Sequence, residues 1–395
     1  MKAFDILGII DERPKPKLLG LLFDIRLQRQ FERLRSMALA SPFSSPTFKT
    51  NPCGSSRVPT PSSVSHHHHF LTCPSGGEPS PHRKKSQSLV VLGHRQGQPL
   101  IENCILCDRK CLRELSSWGI GGPCRYFLRT SRASQLVAAV RYCRERCIPF
   151  LVLGRGSNCL FDDRGFDGFV MLNRVDQLEV TEPGVYRVGS GFPFNRLGVR
   201  CSAEGFSGLE FAGGIPGTVG GAVFMNAGAD CQETGDVVDS VEIVTMDGEL
   251  QVLRRSELAF GYRWSAFQDM KDLAAIVAVT FRLTPSTAAT ERQRAFLERR
   301  RRTQPIGERS AGSVFRNPSG AEMSAGRLIE LAGLKGFAVG GAKVSNAHAN
   351  FFVNFNGSTS QDMLALISHV KESVDKKFQI ELKEEVKYVP HRTQM

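Results

Sequence analysis

Three groups of residues in this chain have the types and spacing to do chemistry, and two of them are loops of glycine. Gly154-Arg-Gly-Ser-Asn158 follows an apolar segment and carries two glycines, a serine and an asparagine. Such a loop exposes several backbone N–H groups in a tight curve, a nest suited to a diphosphate. It lacks the Gly-x-Gly-x-x-Gly spacing and no helical pattern follows directly, which disfavours a Rossmann dinucleotide site. A plain turn accounts for the same five residues equally well. The second loop, Leu209 to Ala222, has five glycines and a proline between Gly213 and Ala222. Glycine is costly in regular structure, so so dense a cluster implies backbone passing close to something. A flat cofactor with a pyrophosphate would explain it. The third group is cysteine: Cys104-x2-Cys107-x3-Cys111, with Cys143 and Cys147 on an expected helix. A structural zinc site needs about four ligands, and no second Cys/His pair follows at finger-like spacing. Incidental thiols and no metal are expected, and His66–His69 reads as a low-complexity tract.

The elements that must position the loops are legible from periodicity. Ser134–Arg146 has apolar residues at helical spacing (Leu136, Val137, Val140, Cys143), and Pro149–Leu153 is a short apolar strand leading into the first loop. Gly168–Asn173 is a second strand. Val241–Met246 and Leu250–Leu253 flank Asp247-Gly248, a hairpin signal, and Ala274–Leu283 is a strongly β-branched strand. Ser360–Phe378 repeats Met363, Ile367, Val370, Val374 and Phe378 as a core-facing helix. The middle of the chain is α+β, and its expected ligand is a large phosphorylated cofactor.

The chain has 395 residues, 41% hydrophobic and 23% charged, with a formal net charge of +12. Residues 1–100 hold 14 Lys/Arg against 6 Asp/Glu, so most of the basic excess lies outside the part that looks folded. A nucleic-acid binder would show it as a patch on the folded part. No apolar run reaches the ~18–20 residues of a membrane span, and eleven irregularly spaced cysteines do not describe a disulfide framework. From Ser36 to Gln98 the chain is rich in Ser, Pro, Gly and basic residues, with Glu78 its one acidic residue. That composition reads as disordered and as an organelle transit peptide. Met37-Ala-Leu-Ala-Ser-Pro-Phe-Ser-Ser suggests Met37 as the biological start and a chloroplast (stromal) destination.

In order along the chain stand GRGSNCLFDDRGFDGFVMLN, GLEFAGGIPGTVGGAVFMNAGA, FGYRWSAF, RRRTQP, AGSVFRNP, LIELAGLKGFAVGGAKVSNAHANFFVN and LKEEV. Together they resemble the UDP-N-acetylenolpyruvoylglucosamine reductase (UDP-N-acetylmuramate dehydrogenase, MurB) family, over about 70% of the chain, from about Leu115 to Val389. The resemblance implies an α+β flavoenzyme of peptidoglycan precursor synthesis. Its FAD-binding domain would be of the type shared with vanillyl-alcohol oxidase and p-cresol methylhydroxylase, at residues 112–285 with subdomains of about 112–173 and 174–285. A C-terminal α+β domain for the UDP-sugar would follow at 286–390, after a leader at 1–100. FAD would be bound, NADPH would be a co-substrate, and the enzyme is expected to act as a monomer.

Residue by residue, the resemblance implies catalytic roles for Arg263, Ser313 and Glu385. Hydride addition to an enol ether conjugated to a carboxylate piles charge on that carboxylate, where a cation must meet it; Arg263 stands at that position. Ser313 is the matching proton donor, and Glu385, preferred to Glu384 by the L-x-x-E-V spacing, helps polarise the enolate. Gly154, Arg155, Gly156, Ser157, Asn158, Gly213, Gly214, Ile215, Pro216, Gly217, Thr218, Gly220 and Asn226 are the implied cofactor-binding residues. Tyr262, Arg316, Asn317, Lys343 and His348 are the implied contacts to the UDP-sugar, His348 being equally readable as a structural histidine. Nineteen residues lie between Pro285 and Pro305, with no tyrosine among them; this matches the family's shorter form, without its tyrosine-bearing substrate loop. Plastid division is the setting a walled plastid implies. Two rival functions are a flavin oxidoreductase of the same fold on another substrate, and a non-catalytic plastid-division scaffold.

Overall fold

The computed structural model describes residues 110–392. The leader, Met37, His66–His69, Cys104 and Cys107 lie outside the described residues.

Three sheets carry the chain. The first is parallel, β1 (Cys124–Thr130) and β2 (Phe150–Leu153) flanking β4 (Phe166–Asn173), with helix α1 (Ala133–Glu145) crossing between β1 and β2. α1 buries Leu136, Ala139, Val140 and Cys143 against Phe169 and Met171 of β4. Cys147, expected on this helix, lies beyond its end at φ +54°, so the two cysteines do not share a helix face. A short strand that periodicity did not flag, β3 (Cys159–Phe161), leaves the first glycine loop.

The second sheet is antiparallel, built from β5 (Leu178–Glu182), β6 (Val185–Gly189), β7 (Val238–Thr245), β8 (Leu250–Arg254) and β9 (Leu273–Arg282) in the order β8-β7-β9-β6-β5. The β7–β8 turn is the expected hairpin, with Gly248 at φ +78°. Between β6 and β7 run α2 (Phe194–Ala203), a 3-10 turn over Glu210–Gly214 and α3 (Val219–Phe224). The second glycine loop is therefore partly helical: Thr218 caps α3 by accepting from the Gly221 amide. Glycine is tolerated in this short helix because its neighbours leave no room for a side chain; a Cβ on Gly220 would stand 2.9 Å from Ser190 Cβ.

After β9 comes α4 (Ala289–Thr303), the basic helix. A boundary at 285 assigns it to the C-terminal part, but its packing is with the second-sheet region. Arg292 of α4 grips Glu210, a fully buried carboxylate, at 2.8 Å, and Thr290 Oγ1 donates to Ser202 O. The third sheet is β10 (Ser310–Ser313), β11 (Ala338–Val339), β12 (Ala342–Val344) and β13 (Phe351–Asn354), ordered β10-β13-β12-β11, with α5 (Ala325–Leu331) after β10. It packs under α6 (Ser360–Phe378), whose limits match the sequence pattern and whose start is a capping box of Thr359 and Asp362. Trp118, Ile120 and Leu160 join this C-terminal core, and Trp118 Nε1 donates to Phe352 O at 2.8 Å. Finally β14 (Lys387–Val389) runs back to pair in parallel with β3, Lys387 opposite Cys159. Tyr388 Oη reaches the buried Asp162 at 2.8 Å, and Arg164 holds the same carboxylate. The Lys387–Val389 strand is thus fastened beside the first glycine loop.

Candidate active site

The two glycine loops and the returning C-terminal segment meet around a cavity of ≈ 730 Å³, in the range of cofactor and ligand sites. One wall is backbone. Gly154–Asn158, Ile215–Thr218, Gly220 and Gly221 line it. Gly156 (φ +59°) and Gly217 (φ +128°) hold conformations that L side chains rarely adopt. A Cβ on Gly154 would meet Thr218 Oγ1 at 2.5 Å, and Ser157 Oγ donates to Pro216 O at 3.3 Å, so the loops lock onto each other. The amides of Arg155, Gly156 and Ser157 donate to no other group among the described residues. Free amides at a cavity wall fit the pyrophosphate of FAD.

The facing wall is made of side chains. Arg263, Ser313, Glu385 and Lys387 line the same cavity. Arg263, itself at φ +54°, places Nε 3.0 Å from Glu385 Oε1 and donates from Nη2 to Gly228 O at 2.8 Å. A non-glycine residue at positive φ stores strain that the surrounding bonds must hold. Glu385 sits in an irregular extended segment, not a regular strand: its amide donates to Val314 O, Asn158 Nδ2 donates to its carbonyl at 3.1 Å, and Phe315 bridges Glu384. Burial pushes the Glu385 carboxyl up, and the positive charges of Arg263 and Arg316 pull the other way. Ser313 ends β10, opposite Phe351, and its hydroxyl makes no hydrogen bond among the described residues, leaving the proton available. The wall therefore carries a cation, a free hydroxyl and a buried carboxylate paired with that cation, groups able to meet and protonate a developing enolate.

Some residues named from the sequence lie elsewhere. Gly213 and Gly214 do not face the cavity; they clear space for α4, a Cβ on Gly213 standing 2.7 Å from Gln293 Nε2 and one on Gly214 colliding with Arg300. Asn226 is fully buried behind the wall, its amide donating to Glu233 and Gly261 O and its carbonyl accepting from Gly235. Asn158 lines the cavity, yet its side chain is spent on the Glu385 segment. Tyr262, Arg316, Asn317, Lys343 and His348 are not part of the cavity wall. Tyr262 Oη accepts from the Asn317 amide at 3.2 Å, and Lys343 lies over the Phe355 ring. His348 lines a second cavity of ≈ 500 Å³, and burial pushes its pKa down. Three cavity cations, Lys271, Arg300 and Lys387, went unnoticed in the sequence. Lys387, two residues after Glu385 in extended chain, shares its face, and burial pushes its pKa down. Arg300 was hidden in a run of four arginines.

Residues 124–254 match the FAD binding domain family and residues 304–389 match the C-terminal domain family of UDP-N-acetylenolpyruvoylglucosamine reductase. The chain is 47% identical over 289 residues to the UDP-N-acetylenolpyruvoylglucosamine reductase of Protochlamydia amoebophila, covering 73% of this chain and 93% of that one. It is 44% identical to that of Chlamydia abortus, covering 71% and 93%. The solved structure of MurB from Thermus caldophilus superposes with a TM-score of 0.61 at 33% identity, over 72% of this chain and 98% of that one. With two glycine loops, an arginine–glutamate pair and a free serine around one cavity, and relatives matched over nearly their whole length, the chain belongs to the UDP-N-acetylenolpyruvoylglucosamine reductase (MurB) family, a family of FAD-dependent oxidoreductases.

Proposed function

We propose that this enzyme reduces the enolpyruvyl group of UDP-N-acetylenolpyruvoylglucosamine to give UDP-N-acetylmuramate, with NADPH as the reductant. The observation that carries the proposal is the convergence of Arg263, Ser313 and Glu385, which lie far apart in sequence, on the cavity that the glycine loops line. FAD, held by the loop amides, would supply the hydride chemistry that links NADPH to C3 of the enol ether. The residues do the rest. Arg263, fixed by Glu385 and Gly228, presents its remaining guanidinium donors to the substrate carboxylate. As charge builds there, the Ser313 hydroxyl gives its proton to C2 and recovers one from solvent. Glu385 orients Arg263 and shares the polarisation of the enolate. The loop amides hold the dinucleotide pyrophosphate, and the apolar residues Phe267, Leu273 and Ile276 keep water from the reacting centre. The composition of residues 36–98 supports import into a plastid stroma, where the enzyme acts as a monomer in precursor synthesis for plastid division; organelle fractionation and the elution volume of the purified enzyme test these two points.

The direct test is anaerobic. NADPH should bleach the yellow protein, and the enol ether should restore the oxidised spectrum. Bleaching without recovery would point to another substrate, and a colourless protein to a scaffold.

A further inference from the structure

The first glycine loop is held from behind by a residue that does not line the cavity. Arg174 stands where β4 leaves the parallel sheet, its amide continuing the ladder to Thr130 O at 2.7 Å. Gly191 makes room for it, since a Cβ there would stand 2.7 Å from Arg174 Cα. From that fixed base the half-buried side chain reaches back to the loop. Nη1 donates to Gly154 O and to Asn173 O, each at 2.8 Å. Gly154 lines the cavity and Arg174 does not, so the Gly154 carbonyl is held on the side away from the cavity. A peptide unit is planar and trans, and its C=O and N–H point in opposite directions. Fixing Gly154 O outward therefore turns the Arg155 N–H toward the cavity. The Gly156–Ser157 peptide is held in the same way, Gly156 O accepting from the Ser117 amide at 3.2 Å, but that clamp carries no charge.

The Arg174 clamp does. Its two hydrogen bonds go to carbonyls, and among the described residues no carboxylate is in ion-pair contact with it. Burial pushes its pKa down, Arg129 and Arg155 push the same way, and Asp176 alone opposes them. A half-buried cation among like charges is unfavourable until an anion lies nearby, and a diphosphate on the loop amides is such an anion. We propose that Arg174 is a positioning residue for the flavin: by gripping Gly154 O it presets the Arg155 amide toward the FAD pyrophosphate, and its unpaired charge adds to the pull of the nest. The assignment rests on the loop amides meeting that pyrophosphate, not on the identity of the substrate. It adds a residue to which the family resemblance gives no role.

The test uses the flavin-loaded full chain and its variants R174M and R174K, with FAD as the probe. Flavin fluorescence follows dissociation, phosphorus NMR reports the bound pyrophosphate, and Tm is taken on the flavin-free protein. Expected for R174M is a fall in FAD affinity of about 10- to 100-fold, with the pyrophosphate resonances of the loaded fraction displaced toward those of free FAD. R174K should lose about fivefold with a smaller displacement, because an ammonium keeps the charge and a donor but not the planar fork. Unsubstituted affinity and resonances in R174M would overturn the assignment. So would a lower Tm of flavin-free R174M with the bound resonances unmoved, which would make Arg174 a cap on β4 and nothing more. Where R174M does not fold, R174K decides, and affinity and resonances equal to those of the unsubstituted protein overturn it. Unsubstituted protein whose bound FAD keeps the resonances of free FAD defeats the clamp and the loop site together. Flavin weakened at Arg174 in a protein that does not reduce the enol ether defeats the proposed function and leaves the clamp standing.

Discussion

The two walls of the main cavity are built from opposite materials. The loop wall offers backbone: Gly156 and Gly217 take φ values closed to most residues, and the side chains of Ser157 and Asn158 are turned to holding other segments. The facing wall offers side chains, Arg263, Ser313, Glu385 and Lys387, on segments held by hydrogen bonds to distant strands. The difference teaches where each kind of substitution will hurt. On the loop wall an added Cβ is disruptive and a removed side chain is mild. On the facing wall the backbone can stay as it is while one lost functional group stops the reaction.

The largest effect that would sharpen this contrast is at Ser313. Ser313→Ala should lower turnover by about 10²–10⁴-fold while FAD content and bleaching by NADPH persist. A variant that instead lost its flavin would erase the division between the walls. Arg263→Lys should cost about 10²–10³-fold in kcat/KM, the range seen when a donor to a developing oxyanion is lost, and steady-state kinetics checks it. Next comes Gly156→Ala. The residue is at φ +59°, with the Leu115 carbonyl where a Cβ would go, so about 1–3 kcal/mol of strain is expected. Flavin should be lost on gel filtration, while the fraction still loaded turns over at the wild-type rate; a slowed loaded fraction would contradict the backbone-only role.

Asp162 fastens one wall to the other. Hydrogen bonds from Arg164, joined by one from Tyr388, hold its carboxyl well below its ordinary value of 3.8, against the effect of its own burial. Because the folded-state pKa is depressed, the stabilisation is present above 3.8 and is lost as the pH falls through and below that value. Asp162→Asn should therefore cost about 1–3 kcal/mol near pH 7, and its deficit in Tm should shrink on acidification below pH ~4. A deficit independent of pH would mean that the carboxylate charge is not what the joint uses. The smallest effect is expected at Arg155, whose exposed side chain leaves the wall's amides in place. Arg155→Ala should weaken FAD by no more than about fivefold, as flavin fluorescence can measure.

Much of the architecture was legible in local pattern. The span of α6, the β7–β8 hairpin and the strand before the first loop follow from spacing that neighbouring residues carry among themselves. The glycine count of the second loop was equally plain, but its use was not. Gly213 and Gly214 make room for Gln293 and Arg300, side chains about eighty residues away, and no property of the loop's own sequence distinguishes them from Gly217. The seat of α4 depends on Arg292 finding Glu210, again a matter of partners. The resemblance located Arg263, Ser313 and Glu385; it covered Arg300 in RRRTQP without giving it a role, and only the fold distinguishes that arginine from Arg299 and Arg302, which are paired with Asp230 and Glu298.

By itself, then, the sequence determined most of the elements, the two glycine loops and, through the resemblance, the candidates Arg263, Ser313 and Glu385, because hydrophobic period and turn chemistry belong to residues and their near neighbours. Only the tertiary structure decided which glycines border the cavity, and that a strand at the chain's end would close beside the first loop. It alone brought an arginine, a serine and a glutamate from three segments onto one wall. Those outcomes come from parallel pairing of β3 with β14, from burial, and from ion pairs between distant segments, and each is settled only when the whole chain has packed.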